Sequence, residues 1–435
     1  MADNPLLGSA PLPVESQSLD LAAAVSAACD RAESVEPRVR SLLPEPGRRE
    51  RLLAEAEALA SRFPDETDRP PLFGALVGIK DIFNVDGMPT RAGSALPPEE
   101  FAGPQAACVS RLADAGALIF GKTVTTEFAY FEPGATTNPH DTRHTPGGSS
   151  SGSAAGVAAG IFSLALGSQT VGSVIRPAAF CGVVGFKPSY DRIPTSGTLY
   201  FSPAVDHVGA FATSVADMTR AAAVLCDDWS PAAPPSDPVL GVPDGPYLDG
   251  TEAEARTAFE AQVAALAADG MQIVRVPAFA EYDEISRRHN DLTAAEYADV
   301  HADRFARCGS LFRARSAALF DRGRTIPDAV REAGLAGRAA LRDELHTQMD
   351  ATGIDAWLCP PAPGPAPHGV SSTGNPALNL PWTHAGMPAA TVPAGLLNGL
   401  PLGLQLAGRF GADEQLLGVA TVLEAAIAAD APGLP

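Results

Sequence analysis

The stretch Gly147 to Pro177, GGSSSGSAAGVAAGIFSLALGSQTVGSVIRP, constrains this chain more than any other. Gly147 to Gly152 reads as a loop, because glycine and serine are poor helix formers. Ala154 to Ala159 then forms a helix whose small side chains allow close approach to a sheet. Ile161 to Leu166 reads as a strand, Gly167 to Gly172 as a sharp turn leading to Ser173, and Pro177 as the next bend. A serine on a turn at a strand's end is exposed for attack, and the N–H groups around it can stabilise an oxyanion. There is no GxSxG elbow and no histidine in a triad context. A serine nucleophile here therefore needs another base, and lysine is the established substitute.

Of the 31 basic side chains only three are lysine: Lys80, Lys122 and Lys187. Arginine is the routine cation of this chain, so a retained lysine hints at a group that must give up its proton. Lys80 ends an apolar run, Leu76, Val77 and Ile79, that reads as a buried strand. A buried ammonium is costly unless paired or neutralised. One reading is a salt bridge, with Asp81 or another carboxylate. The other is a desolvated general base. Moving such a group from about 10.4 to near 7 takes roughly 4–5 kcal/mol of differential solvation.

Several function classes fall away. A formal charge of −20 disfavours direct nucleic-acid binding, which needs clustered cations. The six cysteines are scattered without metal-type spacing, and read as buried free thiols. No basic leader with an apolar run opens the chain, and the longest apolar stretch, around Ala154 to Leu166, is too short to span a membrane. A cytoplasmic protein without cofactor or metal is expected. His140 and His144 stand four apart in a segment with Pro139 and Pro146, so they read as loop histidines. Gly116–Thr123, GALIFGKT, matches the phosphate-loop pattern letter for letter. Its supposed loop is itself an apolar strand, which cannot also curl around a phosphate.

The segments ALVGIKDIFNVDGMPTRAGS (75–94), GALIFGKTVTTEFAY (116–130), TPGGSSSGSAAGVAAG (145–160), GSQTVGSVIRPAAFCGVVGFKPS (167–189) and NLPWTHAGMPAATVPAGLLNGLPLGLQLAGRFGADEQLL (379–417) together resemble the amidase signature family. These serine amidohydrolases use a Ser–Ser–Lys triad. The resemblance implies an α/β fold, a large central mixed twisted sheet covered by helices on both faces. It implies Ser173 as nucleophile, Lys80 as base and Ser149 as bridging serine, entered through a cis Gly148–Ser149 peptide. Amides of Thr170, Val171, Gly172 and Ser173 would line the oxyanion hole. Substrate identity is expected around Tyr130, Phe131 and Thr137 and in the helical region 239–350. His301, on a helix near Glu296 and Tyr297, reads as a packed or surface histidine rather than a pocket residue.

Three departures from the family's common DTGGSIR pattern stand out: Gln169 for Asp, Val171 for Gly, and Arg176 three residues after the nucleophile rather than two. A β-branched residue avoids positive φ, so Val171 should have φ below zero. The expected organisation is a disordered 1–15, a helical arm over 16–68, a catalytic core over 70–230, the helical pocket region and a C-terminal part over 351–435. The expected activity is hydrolysis of a small carboxamide to acid and amine or ammonia, with a small-molecule amide as partner and a homodimer allowed. The alternative is the glutaminase subunit of a tRNA-dependent amidotransferase.

Overall fold

The structure is a computed structural model that describes residues 4–13 and 19–429. Among these residues ten strands form one sheet: β1 (Leu76–Lys80), β2 (Leu118–Thr123), β3 (Leu164–Gln169), β4 (Val184–Lys187), β5 (His207–Ala212), β6 (Val239–Asp244), β7 (Gln272–Pro277), β8 (Ala356–Cys359), β9 (Ala389–Leu397) and β10 (Leu400–Ala407). Their order is β2-β1-β3-β5-β4-β9-β10-β8-β6-β7. β2, β1 and β3 run parallel, as do β8, β6 and β7, while the central pairings are antiparallel. The sheet is mixed, as expected.

Among the described residues twelve helices accompany it: α1 (Leu21–Val39), α2 (Arg48–Arg62), α3 (Ala107–Asp114), α4 (Ser151–Ala158), α5 (Ile175–Cys181), α6 (Val215–Leu225), α7 (Ala253–Ala268), α8 (Tyr282–Cys308), α9 (Ala314–Gly323), α10 (Asp328–Thr352), α11 (Leu380–His384) and α12 (Asp413–Ala429). Successive side chains of a strand point to opposite faces, and the buried strands here are apolar on both. Leu76, Leu118, Phe120 and Ala165 pack with α1, α2 and α4 on one face. Val77, Ile79, Ile119, Leu164 and Leu166 pack with α3, α6 and α12 on the other. That two-sided burial is why these strands read as continuous apolar runs rather than alternating ones.

Glycines set the spacing of α4 on the sheet. A Cβ at Gly156 or Gly78 would lie 2.2 Å or 2.6 Å from the Phe162 ring, and one at Gly152 2.1 Å from the Ser41 carbonyl. This packing overrides the poor helix propensity of the serines, so α4 begins at Ser151 rather than at Ala154. β3 likewise starts and ends about three residues later than expected. Gly167 and Ser168 stay in the ladder, opposite Gly209 and Val208 of β5, instead of turning. Pro177 lies in the first turn of α5 rather than in a bend, where its missing N–H costs nothing.

Residues 4–13 depart from the expected disorder. Leu6 and Leu12 are buried, and Asn4 and Leu12 bond to the backbone of Pro139 and His140 and to Asp217. Two leucines seated in apolar pockets hold this segment despite its polar, proline-rich surroundings. The rest of the 1–15 expectation lies outside the described residues.

The end of β1 is tied to β2 by a buried ion pair, Asp81 Oδ1 to Lys122 Nζ at 2.8 Å. Lys122 also donates to Thr90 Oγ1 at 3.0 Å, and Asp81 Oδ2 accepts from the Arg91 amide. Asp81 thus belongs to Lys122, not to Lys80. Lys122→Met would strand the Asp81 carboxylate, with an expected loss of about 3–5 kcal/mol of unfolding free energy. Urea titration at neutral pH checks this; an unchanged midpoint would show that the pair contributes nothing.

Candidate active site

Parallel β1 and β3 bring their carboxyl ends together, with Ile79 beside Leu166. In open α/β sheets ligands bind in the crevice beyond such ends. Lys80 closes β1, the segment Thr170–Ser173 leaves β3, and Ser149 precedes α4 across the crevice. The Gly148–Ser149 peptide is cis.

Lys80 Nζ lies 2.7 Å from Ser149 Oγ and 2.8 Å from Ser168 Oγ. The amine is fully buried, and burial brings it down from the ordinary lysine value to about 7, with Asp206 pulling the other way. A neutral amine has two N–H groups and one lone pair. Ser168, accepting one N–H, leaves the lone pair free to face Ser149. The sequence does not point to Ser168, because glycine propensity ends the strand before it; the β1/β3 register is what brings it to Lys80.

Asp206, just ahead of β5, is the carboxylate that acts on Lys80. It accepts from Thr170 Oγ1 at 2.5 Å and from the amides of Phe201 and Ser202 at 2.6 and 3.0 Å. Burial raises it to about 6, against those hydrogen bonds and the Lys80 charge. Nothing in the local sequence around Asp206 signals this; only the β3/β5 pairing does.

Among the described residues, the N–H groups of Thr170, Val171, Gly172 and Ser173 donate to no protein acceptor. Four free amides beside a serine are what an oxyanion hole requires. Val171 does not have positive φ, as its branched side chain predicts. Gly172 tolerates no side chain: a Cβ would sit 2.2 Å from Asn379 Oδ1 and 2.9 Å from Pro376 Cβ. Asn379 cannot swing away, being held by Pro361 O and Gln405 Oε1 at 2.8 and 2.9 Å. Gly172→Ala should therefore displace the loop, lowering kcat by at least about tenfold and stability by about 1–3 kcal/mol. Kinetics and thermal unfolding of the variant test both; wild-type kcat would show that the loop is free to relax.

Ser149 and Ser173 open on one cavity of about 70 Å³. No hydrogen bond joins the two hydroxyls among the described residues, and Ser173 Oγ makes none to protein. Tyr130, Phe131, Phe201 and Leu319 form an apolar wall, with Tyr130 stacked on Phe201 at 5.6 Å. Asn290 and Thr293 of α8 and Arg322 of α9 line the same cavity, so the 239–350 region does shape it. Thr137 does not line it. Its hydroxyl donates to Arg38 O at 2.8 Å, anchoring the loop to the end of α1. His301 is buried between Phe128 and Tyr297, outside the cavity lining.

Arg176 lines the cavity and is 1% exposed, yet faces no carboxylate among the described residues. Its Nη2 donates to Gly148 O at 2.6 Å and to Thr373 Oγ1 at 3.2 Å, while Nε and Nη1 have no partner among the described residues. Burial lowers it to about 9, so it stays charged at neutral pH. Among the described residues no acidic side chain lines the cavity.

The remaining candidates fall elsewhere. Lys187 is buried and donates to the carbonyls of Pro188 and Met387. His140 and His144 sit in loops and bond to Cys181 O and Ala366 O. Gly121, Lys122 and Thr123 lie within β2, so the phosphate-loop look-alike is strand. Cys308 is partly exposed and the other five cysteines are buried and free. Among the described residues no helix is long and apolar enough to cross a membrane.

A family model described as Amidase matches residues 23–417. The chain is 32% identical to a glutamyl-tRNA(Gln) amidotransferase subunit of Synechococcus sp. (strain RCC307), covering 94% of this chain and 95% of that one. It is also 32% identical to the 2-amino-5-chloromuconic acid deaminase of Comamonas testosteroni, covering 90% of each. Among solved structures, one described as a crystal structure of amidase superposes with a TM-score of 0.85 at 33% identity, covering 94% of this chain and 96% of that chain.

Proposed function

This chain belongs to the amidase family, and we propose that it hydrolyses a small carboxamide through a Ser173 acyl-enzyme, with Lys80 and Ser149 as its proton relay. The observation that carries this reading is the 2.7 Å contact between a buried, depressed lysine and Ser149, which lines the cavity onto which Ser173 opens. Neutral Lys80 takes the Ser149 proton as Ser149 takes that of Ser173. Ser173 Oγ then bonds to the amide carbon, and the carbonyl electrons move to oxygen, facing the free amides of Thr170 to Ser173. Collapse breaks the C–N bond, and the amine leaves with the proton returned through Ser149. Water attacks the ester by the same relay and releases the acid. Catalytic hydrogen bonds are commonly long in free enzymes and tighten with substrate, so the unbonded Ser173 hydroxyl fits this sequence of steps.

The cavity favours an acyl part that carries a carboxylate, since Arg176 is charged, buried and without an acidic partner. The deaminase relative, by its name, also acts on an acid. A second reading, the glutaminase subunit of a tRNA-dependent amidotransferase, is favoured by the amidotransferase relative. A panel of amides, esters and ureas, glutamine included, tested on the purified chain alone separates the two. We expect hydrolysis of small amides, with a carboxylate-bearing amide preferred at least about tenfold over its neutral isostere, as one charge-assisted hydrogen bond supplies. Ammonia release from glutamine only when partner subunits are added would support the second reading instead.

A further inference from the structure

Gln169 is fully buried at the end of β3, and its side-chain amide is oriented by its partners. The amides of Val174 and Ile175 both donate to Oε1, at 2.8 and 3.0 Å, so that atom is oxygen. The other atom is therefore the Nε2 amide, which donates to Thr383 Oγ1 at 3.0 Å. With its lone pair so engaged, the Thr383 hydroxyl has one proton to place. Val171 O, at 2.7 Å, is the nearer acceptor; Asn379 O, one turn back on the same segment, stands at 3.1 Å.

Val171 O and the Gly172 N–H belong to the same peptide unit, which is trans, so the two point in opposite directions. Anchoring Val171 O toward α11 turns the Gly172 N–H toward the cavity. Gln169 Oε1 meanwhile holds the peptide that follows Ser173. We propose that Gln169 and Thr383 are positioning residues that aim the oxyanion amides through a directed chain of hydrogen bonds, from Gln169 to Thr383 to the Val171 carbonyl. The proposal rests on the acyl-transfer reading above.

The direction of the chain depends on an amide at position 169. A carboxylate there still accepts from Val174 and Ile175 but has no proton to give. It would draw the Thr383 hydroxyl proton to itself and leave the part-buried Val171 O without its donor. Gln169→Glu, nearly isosteric, should therefore act like removal of the hydroxyl.

The test compares T383V, T383S, Q169E and the Q169E/T383V double variant in kcat, KM and affinity for an alkylboronic acid. The boron of that probe bonds to Ser173 Oγ and becomes tetrahedral, putting an oxygen in the oxyanion hole. We expect kcat of T383V and Q169E to fall about 10–100-fold, a share of what losing one oxyanion donor costs, with KM within about twofold. Boronic acid affinity should fall in parallel, T383S should keep most of kcat, and the double variant should be no worse than the poorer single one. Wild-type kcat in T383V, an equal loss in T383S, or losses that multiply in the double variant would overturn the proposal. If T383V does not fold, Q169E decides: wild-type kcat there overturns it. A wild-type enzyme that does not bind the boronic acid at Ser173 contradicts the acyl-transfer reading itself, which separates the two failures.

Discussion

Ser173→Ala should abolish turnover, with kcat at least about 10³-fold lower, as removal of a catalytic serine does elsewhere, and should leave the fold intact. The Ser173 hydroxyl makes no hydrogen bond among the described residues, and the residue is 9% exposed at the edge of the cavity. Its deletion strands no partner, so unfolding should shift by less than about 1 kcal/mol. Substrate affinity should persist, because the cavity walls and the free amides remain. Only the atom that forms the acyl bond is gone. Circular dichroism, thermal unfolding and binding of a product acid separate this outcome from misfolding. Residual activity within about tenfold of wild type would mean that the nucleophile is elsewhere.

Lys80→Met should be nearly as damaging to turnover and should stabilise the protein. The thioether has the length of the lysine stem but no basic nitrogen, so Ser149 loses its proton acceptor. Lys80→Arg fails for another reason, since guanidinium stays protonated at any working pH. In the wild type, kcat/KM should fall about tenfold per pH unit below about 7, where Lys80 becomes protonated. Between about 7 and the ordinary value of 10.5 the unfolded chain holds the Lys80 proton and the folded one does not. Stability therefore rises with pH across that window, and below it the full cost of burial remains. The methionine variant carries no such cost. The wild type should be less stable than Lys80→Met at pH 7, and the gap should narrow toward pH 10. Lys187, also lowered to about 7 by burial, is present in both proteins and cancels in the comparison. A gap that does not vary with pH would show that Lys80 is not depressed.

The parts of the site legible from sequence are those carried by short patterns. Lys80 stands out as a lysine at the end of an apolar run in an arginine-rich chain. Ser149 is chosen among three consecutive serines only through the family resemblance; local propensity does not separate them. In the structure its Oγ lies 2.7 Å from Lys80 Nζ, a pairing across 69 positions that no local pattern carries. What stays hidden depends on register and long-range pairing. Ser168 meets Lys80 because β3 runs on past Gly167, and that is decided by the ladder with β5, not by glycine propensity. Asp206 reaches Thr170 through the same ladder, and Thr383 reaches Gln169 from 214 positions away. In the sequence Gln169 reads simply as a departure from pattern; its two amide acceptances and one donation give that departure a structural use. Thr137 fails as a pocket residue because its hydroxyl is spent on the end of α1, a contact between segments 99 residues apart.

The fold shows the same division. Strand identity is readable where both faces are buried, as in Leu76–Lys80 and Leu118–Thr123. Boundaries slip where glycine and serine dominate, because there close packing against Phe162 and Ser41 decides what propensity leaves open.

Mass spectrometry of the enzyme quenched in acid during turnover of a slow ester or amide reads the acyl-enzyme at Ser173 directly. An adduct of the acyl mass is expected on the peptide that contains Ser173, present in the wild type and missing in Ser173→Ala. An adduct on Ser149 or on any other residue, or steady turnover of a slow ester with no adduct at all, would contradict a Ser173 acyl-enzyme.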